Sequence, residues 1–249
     1  MMSQNAGSAE PLDHGVGLPD PHTLLTGTNW AELEHALGPA FDLQAGLGRF
    51  MDDDIAVRSE AVGEYLELVN HQNSIYTATT PVALYVAALL PDPRTDVLKL
   101  ASGRGGQPVP IRAALMDWLG GIADDVNDEV LKIARRHGFC FDGESPTMEL
   151  RAVRPRLFRA VAAFVNDPQP EIRHAAVTAA LLLLDAPDER RRYQDAFTPM
   201  VLDILATSAN DYYRLRVLDS LDAWGEDTSA LRLEAPASHD PHQRYPWAG

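Results

Sequence analysis

The sequence predicts an all-α protein, an α-solenoid of about four to five stacked helical hairpins. Three observations lead there. Proline-led apolar segments open at Pro39, Pro81, Pro155 and Pro199, and each runs on to an acidic turn: Asp52-Asp53, Asp92-Pro93, Asp167-Pro168, Asn210-Asp211. Beyond each turn a branched aliphatic residue stands directly before an arginine, as Val57-Arg58, Ile111-Arg112, Ile172-Arg173 and Leu215-Arg216. The prolines are spaced by 42, 74 and 44 residues, and the two shorter steps are an ordinary period for helical repeats.

Taken in order, residues 1–28 are rich in Gly, Pro, Ser, Asp and His without apolar period, which predicts a flexible lead-in. Residues 29–224 form the helical body. Thr80 before Pro81 can cap PVALYVAALLPD, and Thr198-Pro199 repeats that start ahead of MVLDILATSAND. Pro39 and Pro155 are read the same way. After each turn a second helix is expected, with its apolar positions at helical spacing, as in Ile172, Ala176, Val177, Ala180 and Leu181. The stripe Ile122, Val126, Val130, Ile133, Ala134 predicts one further helix, with the carboxylates of DDVNDE (Asp124 to Glu129) on its wet face. Gly103 to Gly106 reads as a linker inside the long step. Residues 225–249 carry Pro236, Pro241 and Pro246 and read as a tail, onto whose parent body Tyr245 and Trp247 could dock.

The alternation of helix, Asp-Pro-type turn and aliphatic-Arg-x-x-Ala helix resembles HEAT repeats, most clearly in DPQPEIRHAAVTAALLLL (Asp167 to Leu184). NWAELEHALGPA followed by NHQNSIYTATTPVALYVAALL is similar to a group of bacterial, largely actinobacterial, HEAT-repeat proteins. The resemblance spans roughly residues 29 to 224. It implies stacked helix pairs that bury their faces against neighbouring pairs. It implies structural roles for Arg58, Arg112, Arg173 and Arg216, paired with the acidic turns at Asp52 and Asp167. On activity it is almost silent.

Composition narrows the function classes. The net charge is −15, from 36 acidic and 21 basic residues, and a phosphate-binding surface needs the opposite sign. No nucleic-acid and no membrane partner is expected, and HEAT-like DNA glycosylases are set aside on the same ground. The charge is uneven: residues 1–60 hold ten acids against Arg49 and Arg58, whereas residues 151–192 hold eight arginines against five acids. One cysteine excludes an intramolecular disulfide. The first residues show no basic region followed by an apolar core, so a cytoplasmic protein is expected.

The stretch Asn70 to Pro81, NHQNSIYTATTP, is the best polar cluster of the chain. As a joint between helices, Asn70 ends one helix, Thr79 or Thr80 caps the next, and Ile75 and Tyr76 pack inward. As a ligand groove, it offers His71, Gln72 and Tyr76; an enzyme built there requires these to converge with the Asp52–Asp54 turn. Tyr212 and Tyr213, at a repeat turn, are the expected surface anchors for a partner, while Trp118 falls on a core stripe. His137, Cys140, Asp142 and Glu144 are an incomplete set for zinc, and a buried structural Cys140 beside Phe139 and Phe141 is the expectation. No catalytic residue, metal or cofactor is expected. The function expected is non-catalytic protein binding through a concave surface made by the second helices. Two sharper forms stay open: an immunity or antitoxin-type inhibitor of a basic toxin, and a scaffold for an enzyme complex. A small-ligand binder or enzyme using the 70–81 loop is the further alternative.

Overall fold

Asp20 opens the first helix of the chain by accepting the Thr23 amide at 3.0 Å, with Pro21 in the first helical position. From there to Leu233 the chain is mostly helical in the computed structural model, which describes residues 17–98, 108–141, 143–184 and 186–233. The order is α1 (Pro21–Gly27), a small antiparallel hairpin of β1 (Glu34–His35) and β2 (Gly38–Pro39), α2 (Leu43–Gly48), α3 (Ile55–Leu68) and α4 (Thr79–Leu89). Then come α5 (Ile111–Asp124), α6 (Asp128–Arg136), α7 (Pro146–Ala162), α8 (Pro170–Leu183), α9 (Pro187–Thr207), α10 (Asp211–Ala223) and α11 (Ser229–Leu233).

Consecutive helices pair as α2 with α3, α4 with α5, α7 with α8 and α9 with α10. The first members α4 and α7 pack on each other, and the second members α3, α5, α8 and α10 contact one another in that order. The long 74-residue step holds α6 as an inserted helix between the second and third pairs.

Several expected boundaries differ. Pro39 lies in β2, and the first α-helical turn after it begins at Leu43. Pro155 and Pro199 lie inside α7 and α9, which begin at Pro146 and Pro187. Both interior prolines are exposed, so the carbonyl four residues back that loses its partner faces solvent. The lead-in is partly helical: α1 packs on α4 and α2, and Leu18, Leu24 and Leu25 lie against the core. The start of the tail holds α11. Gly103 to Gly106, Tyr245 and Trp247 lie outside the described residues. The stripe from Ile122 to Ala134 is broken: α5 ends at Asp124, and Asn127 caps α6 by accepting the Val130 amide at 2.8 Å.

The most extensive contact in the molecule is between α5 and α8. Every residue of α5 from Ile111 to Ala123 is buried. The approach is close because position 120 has no side chain: a Cβ there would stand 3.0 Å from the Ala179 Cα. Trp118, Leu115, Leu119 and Met116 are fully enclosed around this contact, each worth roughly 1.5–3 kcal/mol of burial.

The four turns share one construction. The side-chain oxygen of Asp52, Asp92, Asp167 or Asn210 accepts the amide two residues on, at 2.9, 2.8, 2.9 and 3.0 Å. The following arginine then binds the carbonyls of the turn. Arg58 donates to the Asp52 and Asp53 carbonyls, Arg173 to that of Asp167 at 2.9 Å, and Arg112 to those of Leu90 at 2.8 Å and Asp92 at 3.2 Å. Arg112 also meets the Asp96 carboxylate at 3.1 Å and lies over the Phe164 ring. In the fourth pair Arg214 serves the Leu205 carbonyl, while Arg216 pairs with Asp124 of α5 at 2.7 Å.

Two outcomes test this account. Gly120→Val is expected to force α5 from α8 and cost about 1–3 kcal/mol in chemical denaturation. Arg112→Met is expected to cost about 1–3 kcal/mol, because the buried Leu90 carbonyl loses its closest donor while the Asp92 carbonyl keeps the Thr95 amide; a loss below ~0.5 kcal/mol would contradict the capping role.

Candidate functional site

Two constructions carry polar chemistry. The first is at the end of the molecule where the hairpin meets the 70–81 joint. The Ala36 amide donates to the Leu68 carbonyl at 2.9 Å, the Ala78 amide to the Glu34 carbonyl at 3.1 Å, and the Glu34 amide to the Thr77 hydroxyl at 2.7 Å. The hairpin is thereby fixed to both ends of the joint. Within it, the Leu37 amide donates to His35 Nδ1 at 3.1 Å, so the ring proton sits on Nε2 and is given to Asp42, 3.0 Å away. His35 is buried, yet Leu37 and Phe41 on either side of β2 remain 80% and 74% exposed. These are the two most exposed large apolar side chains among the described residues.

The joint itself is bonded through its own polar groups. Thr79 Oγ1 donates to the Val69 carbonyl and accepts the Tyr76 amide at 2.9 Å. Asn70 reaches the Asp125 carboxylate at 3.0 Å. His71 and Glu67 bond at 2.8 Å on the surface. Gln72 and Asn73 both take left-handed backbone, with φ of 50° and 59°, a conformation non-glycine residues adopt at a cost of about 1 kcal/mol or more. His71 and Gln72 are exposed and Tyr76 is half-buried. Asp52–Asp54 lie at the opposite end of α3, whose 14 residues span about 21 Å. His71, Gln72 and Tyr76 therefore do not converge with that turn.

The second construction is buried between α5, α8 and α10. Asp117 is 3% exposed in the middle of α5, and its Oδ2 accepts the Tyr213 hydroxyl at 2.9 Å. Tyr213 is 4% exposed and sits edge-on to the His174 ring. Tyr213 is thus a core residue and not the surface anchor expected; its neighbour Tyr212 is half-buried, with its ring under Arg216. Among the described residues Asp117 Oδ1 and Thr178 Oγ1 have no hydrogen-bond partner. Burial pushes the Asp117 carboxyl up to about 7, against the pull of the Tyr213 hydrogen bond. Burial also holds the His174 imidazole below its ordinary value, assisted by Arg173. Sequence reasoning passed over Asp117, although a lone charge in ALMDWLGGI signals it.

Carboxylates expected on a wet face tie elements together instead. Asp124 holds Arg216 of α10, Asp125 holds Asn70, and Asp128 holds Arg151 of α7 at 2.6 Å. A cleft of about 230 Å³ opens beside them, lined by Asp124, Leu181, Arg216, Ser220 and Trp224. Cys140 is exposed, as are His137 and Phe139, contrary to the buried cysteine expected; Asp142 lies outside the described residues. Among the described residues no three His, Cys, Asp or Glu side chains group to hold a metal ion. No helix among them is long and apolar enough to cross a membrane. No family model matches the chain, and no curated protein and no solved structure matches it.

The buried carboxyl makes stability depend on pH. Unfolded, Asp117 ionises near 3.8; folded, near 7. Folding takes up a proton between these values, so this contribution is full below about pH 4 and is lost as pH rises through 7. Asp117→Asn cannot ionise. Its stability relative to the wild type is expected to rise by on the order of 2 kcal/mol from pH 5 to pH 8, read by urea denaturation at each pH; a difference independent of pH would show that Asp117 is not the titrating group.

Proposed function

We propose that this chain is a HEAT-like α-solenoid and a non-catalytic protein-binding module, whose contact surface is the hairpin–joint end. The solenoid reading is supported by the four helix pairs and the shared turn construction. The exposure of Leu37 and Phe41 on a hairpin bonded to the joint is the observation that carries the binding reading. Interfaces draw their energy from a few large side chains on preorganised elements. Glu32 and Glu34 are exposed beside them, and Asp42 and Glu67 are partly so, which gives the apolar anchors an acidic rim. A basic protein partner suits that surface, and His71, Gln72 and Tyr76 lie on the same end.

The concave face expected to bind is less open than a free groove. Over α8, the Tyr213–Asp117 and Arg216–Asp124 contacts bridge α10 to α5. That favours the hairpin–joint end over the second-helix face. The net charge of −15 also suits the inhibitor form of this reading, in which the partner is a basic toxin.

Affinity capture from host lysate with the tagged full chain tests it. One stoichiometric partner, weakened by salt, is expected with the wild type. Leu37→Asp and Phe41→Asp together are expected to abolish capture with an unchanged melting temperature, since both side chains are exposed. Capture that survives this double change would overturn the assignment of the surface.

A further inference from the structure

On the face made by α7 and α9 the charge of the protein reverses locally. Arg159 lines a cleft of about 200 Å³ together with Phe158, Ala162, Leu184, Arg192 and Tyr193. It also lines a second cleft of about 280 Å³ with Arg156, Ala160, Ala87 and Pro91. The two clefts share Arg159 of α7 in their linings and are read together as one groove. Most arginines of this chain are committed: Arg154 binds the Leu182 and Leu183 carbonyls beneath the groove, and Arg190 that of Leu184. Arg156, Arg159 and Arg192 are different. Among the described residues none of them has a carboxylate partner, and Arg192 meets only the Tyr193 ring, at 5.6 Å. Three guanidinium groups without a carboxylate partner among the described residues, on a chain of net charge −15, mark a surface complementary to anions.

The groove has an apolar wall as well. Phe158 and Tyr193 pack at 5.0 Å between centroids, and Ala162, Ala163 and Leu184 continue that wall. Each cleft is below the ~300 Å³ at which pockets for drug-sized ligands begin. A side chain fits such a cleft better than a whole small molecule does, and the continuation past Arg159 suits an extended chain.

We propose that this groove docks an acidic linear peptide segment of a partner protein, with an apolar side chain against Phe158, Ala162 and Leu184 and carboxylates on Arg159 and Arg192. The surface is separate from the hairpin–joint end and selects the opposite charge. Arg156 extends the cationic line toward α4. Asp20, at the edge of the second cleft, is occupied in capping α1. Glu189 lines the first cleft and opposes the ligand.

The test is fluorescence anisotropy of the full chain with a fluorescein-labelled acidic heptapeptide, DEDLFED, beside the charge-reversed KRKLFKR. Saturable binding of the acidic peptide alone is expected, weakening as salt rises to about 300 mM. Arg159→Glu and Arg192→Glu are each expected to raise Kd about tenfold or more, and Arg136→Glu, an equal charge change on α6, to leave it in place. Glu189→Gln is expected to tighten binding. Thermal melts of each variant separate loss of contact from loss of fold, because both arginines are exposed. Absence of saturable binding, or equal affinity in Arg159→Glu, would overturn the proposal. A large gain of affinity on changing Glu10→Gln and Asp13→Asn together would overturn it too, by assigning the groove to the chain's own first residues.

Discussion

The close approach of α5 to α8 at Gly120 sets the geometry of everything around it. Helices packed through ordinary side chains keep their axes 8–10 Å apart; here the absent side chain at 120 and the small Ala179 bring backbone against backbone. Two consequences follow. The α5 helix becomes enclosed on all sides, which is why its sequence is apolar beyond a single stripe. And α10, packed on the far side of α8, comes within side-chain reach of α5. Tyr213 and Arg216 use that reach to meet Asp117 and Asp124.

The turns solve a different problem. Each helix end leaves carbonyls without partners, and a chain built from four helix pairs must satisfy them at each turn. Asp or Asn closes the turn by taking an amide two residues on, which leaves the turn carbonyls pointing back toward the next helix. The arginine supplies donors there. Acid and base of each turn thus serve the backbone between them and seldom each other; Arg112, which also meets Asp96, and Arg173, which also meets Asp203 at 3.7 Å, add a carboxylate from elsewhere. A guanidinium suits this task because its planar donors can reach two carbonyls at once. A lysine would offer one point charge with no such fork.

These choices explain which parts of the structure were legible in the sequence. The all-α class, the arginine positions and the turns were readable because each depends on local chemistry: capping oxygens, prolines and helical period. Pro155 and Pro199 misled because a proline after a threonine or arginine resembles a helix start, while exposure to solvent lets it sit inside a long helix. The better signals were Ser145-Pro146 and Ala186-Pro187. Tyr213 misled in the other direction. A pair of tyrosines at a turn reads as surface, and its burial depends on Asp117 lying 96 residues earlier in the chain, a contact created by the α5–α8 approach. The hairpin is similar: EHALGPA reads as a helix lead, and its attachment to the 70–81 joint is visible only once Leu68 and Ala78 are brought beside it.

A buried carboxyl at the centre of the most enclosed helix is costly, and a well-packed apolar residue would give a more stable protein. What Asp117 contributes is register. Apolar contacts between α10 and its neighbours are tolerant of a slide along the helix axis, since one aliphatic face resembles the next. A hydroxyl that must meet a single carboxylate is not tolerant, and the Arg216–Asp124 pair joins the same two helices about one turn further along α10 and about two turns further along α5. Two polar contacts in line fix the rotation and the height of α10 at once. They also place the charge cost in the interior, where it specifies a geometry, and leave the two outward faces free to differ: acidic and apolar at the hairpin, cationic across α7. A helical body that holds opposite charges on separate surfaces needs its helices locked in place, because a slide of one turn would carry those charges about 5 Å and merge or misalign them.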